Sequence, residues 1–101
     1  MDLGLAGAAA VVTGGSKGMG LAIAETLAAD GARVAVMARG REALDAATES
    51  LLAAGAPDAV GISVDMTDPN SIAAGFDEVR QRWGALNSLV HTIGPGDGYF
   101  E

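Results

Sequence analysis

A chain of 101 residues, half of them hydrophobic and 15 of them Gly, has apolar material for one small domain and no more. Its formal net charge of −7 repels polyanions, so nucleic-acid binding is disfavoured. With no Cys there is no disulfide framework or thiolate metal site, and no apolar run nears the ~20 residues of a membrane span. Asp2, with no basic residue before the first apolar run, is unlike a secretory signal, and a cytoplasmic location is expected.

In chain order, residues 8–13 read as a first strand, continuously apolar from Ala8 to Val12, as suits a strand covered on both faces. A glycine turn follows, and a first helix is expected from about Gly18 to Asp30. Its inner face should carry Ile23 and Leu27, and Gly31 is the expected left-handed stop. Arg33 to Ala38 is a short β-branched second strand. A second helix runs from about Arg41 to Ala54, with Leu44, Thr48, Leu51 and Leu52 as its inward stripe and Gly55 closing it. Ala59 to Val64 reads as a third strand. Asp68 as N-cap and Pro69 at the first helical position open a third helix, along which Ile72, Phe76, Val79 and Trp83 recur at helical spacing. Leu86 to Ile93 supplies a fourth strand, broken by Gly94-Pro95-Gly96. The order βαβαβαβ with right-handed crossovers predicts an α/β fold, a doubly wound parallel sheet.

The stretch that organises this pattern is Thr13-Gly14-Gly15-Ser16-Lys17-Gly18-Met19-Gly20. A helix start leaves backbone N–H groups unpaired at the positive end of the peptide dipoles, which suits a phosphate. Glycines clear the approach and permit the turn dihedrals. A P-loop is excluded, because Leu21 and Ala22 follow Gly20 where Lys and Ser/Thr would have to stand. The G-x-G-x-x-G spacing fails as well, since Gly18-x-Gly20 is followed by Leu21, Ala22 and Ile23. What remains is Thr-Gly-x-x-x-Gly-x-Gly on Thr13, Gly14, Gly18 and Gly20. After a buried strand at the start of a chain, this resembles the short-chain dehydrogenase/reductase family. The resemblance covers essentially all 101 residues, but only the cofactor-binding half of a longer family chain. It implies the first half of a Rossmann-type fold with strand order 3-2-1-4, and cofactor contacts from Gly14, Ser16, Lys17, Gly18, Met19 and Gly20.

Ligands in such sheets sit at the carboxyl ends of the strands, and a NAD-selective site places Asp or Glu at the end of the second. Here that region reads Met37-Ala38-Arg39-Gly40-Arg41, with no carboxylate. Arg39 offers a planar fork of donors suited to a phosphate, while Arg39 and Arg41 as solvated loop charges are the plainer alternative. By the resemblance, basic residues at Arg39 and Lys17 go with NADP(H) rather than NAD(H). Asp65, closing the third strand, is in the same way an expected contact to the adenine amino group, with the N–H of Met66 donating beside it. The plainer reading of Asp65 is a cap on the turn.

The fourth strand departs from the family pattern. Where relatives carry Asn-Asn-Ala-Gly this chain has His91-Thr92-Ile93-Gly94, which looks like the divergent branch holding enoyl-acyl-carrier-protein reductases. Gly94 still lets the backbone approach a cofactor, and His91 reads as a structural residue. The family passes hydride between nicotinamide and a carbonyl or alcohol carbon, using a Ser and a Tyr-x-x-x-Lys pair. No Tyr-x-x-x-Lys can be written here, because Tyr99 is the only Tyr and Lys17 the only Lys. Residues 1–101 are therefore expected to be the NADP-binding part of one Rossmann-type domain, with catalytic groups in a further C-terminal segment, carbonyl/alcohol substrates and a homo-oligomeric assembly. A non-catalytic nucleotide-binding or scaffold protein is the alternative from another class.

Overall fold

The computed structural model describes residues 8–14, 18–84 and 88–91. Four strands, β1 (Ala9–Thr13), β2 (Arg33–Ala38), β3 (Ala59–Ser63) and β4 (Ser88–His91), alternate with three helices, α1 (Gly18–Ala29), α2 (Arg41–Ala54) and α3 (Pro69–Trp83). All strand pairings are parallel, in the order β3-β2-β1-β4. The register places Thr13 beside Met37 and His91, and Ala38 beside Ser63, so the carboxyl ends of the four strands share one edge.

The continuous apolar runs of β1 and β2 reflect cover on both faces. Successive side chains of a strand point to opposite sides, and here each side meets helices. Val12, Val34 and Val36 pack with Ala24 and Ala28 of α1 and with Leu44, Ala47 and Leu51 of α2. Val11, Ala35, Met37, Ile62 and Val64 pack on the other face with Val79, joined by Ile72, Phe76 and Trp83 of α3. The sheet is doubly wound, as its element order requires.

Two helix faces differ from the expected ones. In α1 the buried residues are Gly20, Ala24 and Ala28, while Ile23 and Leu27 are half-buried. Small side chains let α1 lie close against its neighbours. A Cβ built on Gly55, at the end of α2, would stand 3.3 Å from the Ala28 carbonyl oxygen. In α2 the inward stripe is Leu44, Ala47 and Leu51. Thr48 sits beside it and donates its hydroxyl to the Leu44 carbonyl at 2.8 Å. Leu52, one residue and roughly 100° of helix beyond Leu51, is 48% exposed. Helix α3 starts as expected, with the Asp68 carboxylate accepting from the Asn70 N–H at 3.0 Å and Pro69 following.

At the amino ends of the strands a polar cluster ties the end of α3 to the start of β3. Arg82 donates to both carboxylate oxygens of Asp58, through Nε at 3.0 Å and NH2 at 3.1 Å. The Trp83 indole N–H adds a bond of 2.8 Å, and the Arg33 guanidinium lies 5.6 Å over the Trp83 ring. The Arg82 bonds lead the causes that hold the Asp58 carboxyl below its ordinary value. A lowered folded-state value means stability that is present above the ordinary aspartate range and is lost as pH falls through the folded one. Asp58→Ala is expected to cost about 1–2 kcal/mol near neutral pH. In urea unfolding, the gap from the parent should close as the solution is acidified below the aspartate range.

Candidate functional site

The strand ends are tied to one another where the loops begin. The Gly14 N–H donates to the Met37 carbonyl at 2.8 Å, and the Val64 N–H to the Ala38 carbonyl at 2.8 Å. Gly14 and Gly18 both have positive φ, 71° and 63°, so the turn from β1 into α1 uses backbone that residues with a Cβ resist. Gly18 and Met19 are exposed, Met19 by 77%, and Gly20 is buried against the fold. No acidic residue stands in the first turn of α1. A Cβ added at Gly18 would meet no described atom within 4 Å, so among the described residues nothing stands in front of this glycine at the positive end of a 12-residue helix. Amide donors, open space and no competing carboxylate are what a diphosphate requires, and the residues present fit one. Ser16, Lys17 and Gly94, expected in the same site, lie outside the described residues, as do Thr92, Tyr99 and the side chain of His91.

Arg39 leaves the end of β2 with its side chain 72% exposed. Its carbonyl accepts from the Ser63 hydroxyl at 2.9 Å, which fixes the loop to the end of β3. Its NH2 lies 3.4 Å from Oδ1 of Asp65. That same Oδ1 accepts from the Thr67 N–H at 2.9 Å and the Thr67 hydroxyl at 2.7 Å, while the Asp65 N–H donates to the Ser71 hydroxyl at 2.9 Å. The Thr67 hydroxyl leads the causes that hold the Asp65 carboxyl below its ordinary value, and Arg39 contributes less. Asp65 therefore organises its own turn as an anion, beside Met66, which packs partly into the core. Arg41 points elsewhere. Its NH1 donates to the Gly61 carbonyl at 3.0 Å and pairs with Asp45 at 3.4 Å, binding the start of α2 to β3.

The family model for short chain dehydrogenase matches residues 8–99 of the chain. The chain belongs to the short-chain dehydrogenase family. The 3-oxoacyl-[acyl-carrier-protein] reductase FabG of Escherichia coli (strain K12) is 40% identical over 88 residues, 87% of this chain and 34% of that protein. MabA of Mycobacterium tuberculosis (strain ATCC 25618 / H37Rv), described by the same activity, is 39% identical over 85 residues, 83% of this chain and 29% of that protein. The chain thus spans about a third of the length of the curated relatives it matches. Among solved structures, L-sorbose reductase from Gluconobacter frateurii complexed with NADPH and L-sorbose superposes with a TM-score of 0.87 at 37% identity, over 93% of this chain and 36% of that one. An NAD+-bound xylitol dehydrogenase superposes with a TM-score of 0.80 at 30% identity, over 84% of this chain and 32% of that one.

In this member of the family the fold brings Gly14, Gly18, Met19, Gly20, Arg39, Asp65 and Met66 to one edge of the sheet. The sequence pointed to each of them singly. It did not point to Ser63, Thr67 and Ser71, whose hydroxyls hold Arg39 and Asp65 in place. The available signal was a run of hydroxyl residues around Asp65, a composition that caps turns. The Arg39–Asp65 pair crosses 26 residues, and only the β2–β3 register makes it visible.

Proposed function

We propose that this chain is the cofactor-binding part of an NADP(H)-dependent oxidoreductase acting between a carbonyl and an alcohol. The amides at the start of α1 take the cofactor diphosphate, Arg39 takes the 2′-phosphate, and Asp65 and Met66 meet the adenine. When bound, the nicotinamide supplies or accepts the hydride. Gly14, Gly18 and Gly20 admit the diphosphate by leaving no side chain in its way, and Arg39 orients the adenosine end. Ser16, Lys17 and Gly94 belong to the same site in this reading.

The observation that carries the choice of NADP(H) is Arg39 itself. An exposed guanidinium stands at the end of β2, where a NAD-selecting carboxylate would be, and residues 37–41 hold no acid. The fold alone does not decide, since a NADPH complex and an NAD+ complex both superpose on it. The substrate class rests on relatives whose names describe reduction or oxidation at a carbonyl or alcohol carbon. In this reading a carbonyl or alcohol substrate and a homo-oligomeric assembly go with the complete protein. A cytoplasmic location goes with this reading; among the described residues no helix is long and apolar enough to cross a membrane.

One charged hydrogen-bonding group contributes about 1.5–3 kcal/mol. Arg39→Ala in the complete protein is expected to raise the Kd for NADPH roughly 10- to 100-fold and leave that for NADH nearly unchanged. Equal losses for both cofactors in a calorimetric titration would contradict the assignment.

A further inference from the structure

We infer that Thr67 is a positioning residue for cofactor choice: it holds the Asp65 carboxylate off the Arg39 guanidinium and so keeps that fork open for a 2′-phosphate. The inference rests on the NADP(H) reading above and extends it to a residue that touches neither Arg39 nor the cofactor in that reading.

The distances carry it. A charged N–H to carboxylate bond closes to about 2.7–2.9 Å, yet Arg39 NH2 stops 3.4 Å from Asp65 Oδ1. The oxygen is engaged elsewhere, 2.7 Å from the Thr67 hydroxyl and 2.9 Å from the Thr67 N–H. The chain shows what the same two residue types do at the other end of β3. There Arg82 closes on Asp58 with two bonds, 3.0 and 3.1 Å, one to each oxygen. Arg39 makes a single long contact instead, through one nitrogen of a guanidinium that carries five N–H donors. Its backbone is pinned by Ser63 and that of Asp65 by Ser71. With both backbones held, the side chains set the arrangement, and the Thr67 hydroxyl has the shortest hold on the carboxylate.

Without that hydroxyl only the Thr67 N–H still holds Oδ1, and Asp65 can turn toward Arg39 to form the two-pronged pair seen at Asp58. A 2′-phosphate would then have to displace a carboxylate from the guanidinium. NADH carries no group that needs Arg39, so its binding is indifferent to the change. Adenine contacts are common to the two cofactors and cancel in the ratio of their affinities.

The test is the ratio of the Kd values for NADH and NADPH, measured by calorimetry on the complete protein and its variants. Exposed ion pairs contribute about 0.2–1 kcal/mol, so Thr67→Val should lower the preference for NADPH by about 1.4- to fivefold. Thr67→Ser, which keeps the hydroxyl, should restore it. Adding Asp65→Asn to Thr67→Val should also restore it, because the competing charge is gone; a loosened turn would not be repaired in that way. If Arg39→Ala abolishes the preference but Thr67→Val leaves it unchanged, the role of Thr67 is wrong and the NADP(H) reading stands. A shift in Thr67→Val that Asp65→Asn fails to reverse overturns the role of Thr67 in the same way. If Arg39→Ala leaves the preference unchanged, both readings fall together.

Discussion

Gly18→Val is expected to weaken binding of NADPH and NADH alike by at least about 100-fold in the complete protein. Two charged hydrogen bonds to a diphosphate, at about 1.5–3 kcal/mol each, are enough to set that lower bound. The Val side chain would occupy the open space in front of α1, where no described atom lies within 4 Å of a Cβ. It would also impose a φ of +63° on a β-branched residue, a strain of about 1–3 kcal/mol at the first residue of the helix. Because no described residue packs there, the sheet should keep its circular dichroism spectrum while cofactor fluorescence titrations go flat. Loss of NADPH binding alone would place the diphosphate somewhere other than this helix start.

Gly61→Val should do the reverse, lowering stability first and the site only through it. A Cβ at Gly61 would lie 2.9 Å from the Leu44 Cβ, 3.0 Å from the Thr48 hydroxyl and 3.2 Å from the Leu44 carbonyl oxygen. Two of those atoms are backbone or one bond from it, so the clash is relieved only by moving α2. Overpacking of this kind costs about 1–3 kcal/mol, and the upper half of that range applies because α2 is also bound to this strand through Arg41 and the Gly61 carbonyl. Urea unfolding should show a loss of about 2–3 kcal/mol. An unchanged midpoint would mean that α2 does not press on β3 as described.

These two glycines show what could be read from residues alone. Gly18 was legible as part of a strand-to-helix turn, because strand, glycines and helix follow each other within a few positions. Gly61 was not, because its constraint comes from a helix that crosses the strand and is set by packing, not by local pattern. The strands themselves were legible: continuous apolar runs in β1 and β2 match cover on both faces. Helix faces were read less well where side-chain size was taken as the guide to burial. In α1 the closest approach selects Gly20, Ala24 and Ala28 over Ile23 and Leu27. In α2, Leu52 looked equivalent to Leu51 and is turned outward. At the candidate site, Arg39 and Asp65 were each recognisable by their position at a strand end. Their pairing, and the grip of Thr67 on the carboxylate, depend on register and turn geometry that composition does not carry.

A crystal structure of the complete protein grown with NADPH tests the central claim most directly. The diphosphate oxygens should lie within hydrogen-bonding distance of the amides at the start of α1, around Gly18 to Gly20, with the 2′-phosphate on the Arg39 guanidinium. A nucleotide bound away from that helix start, or a 2′-phosphate turned to solvent with Arg39 still facing Asp65, would contradict it.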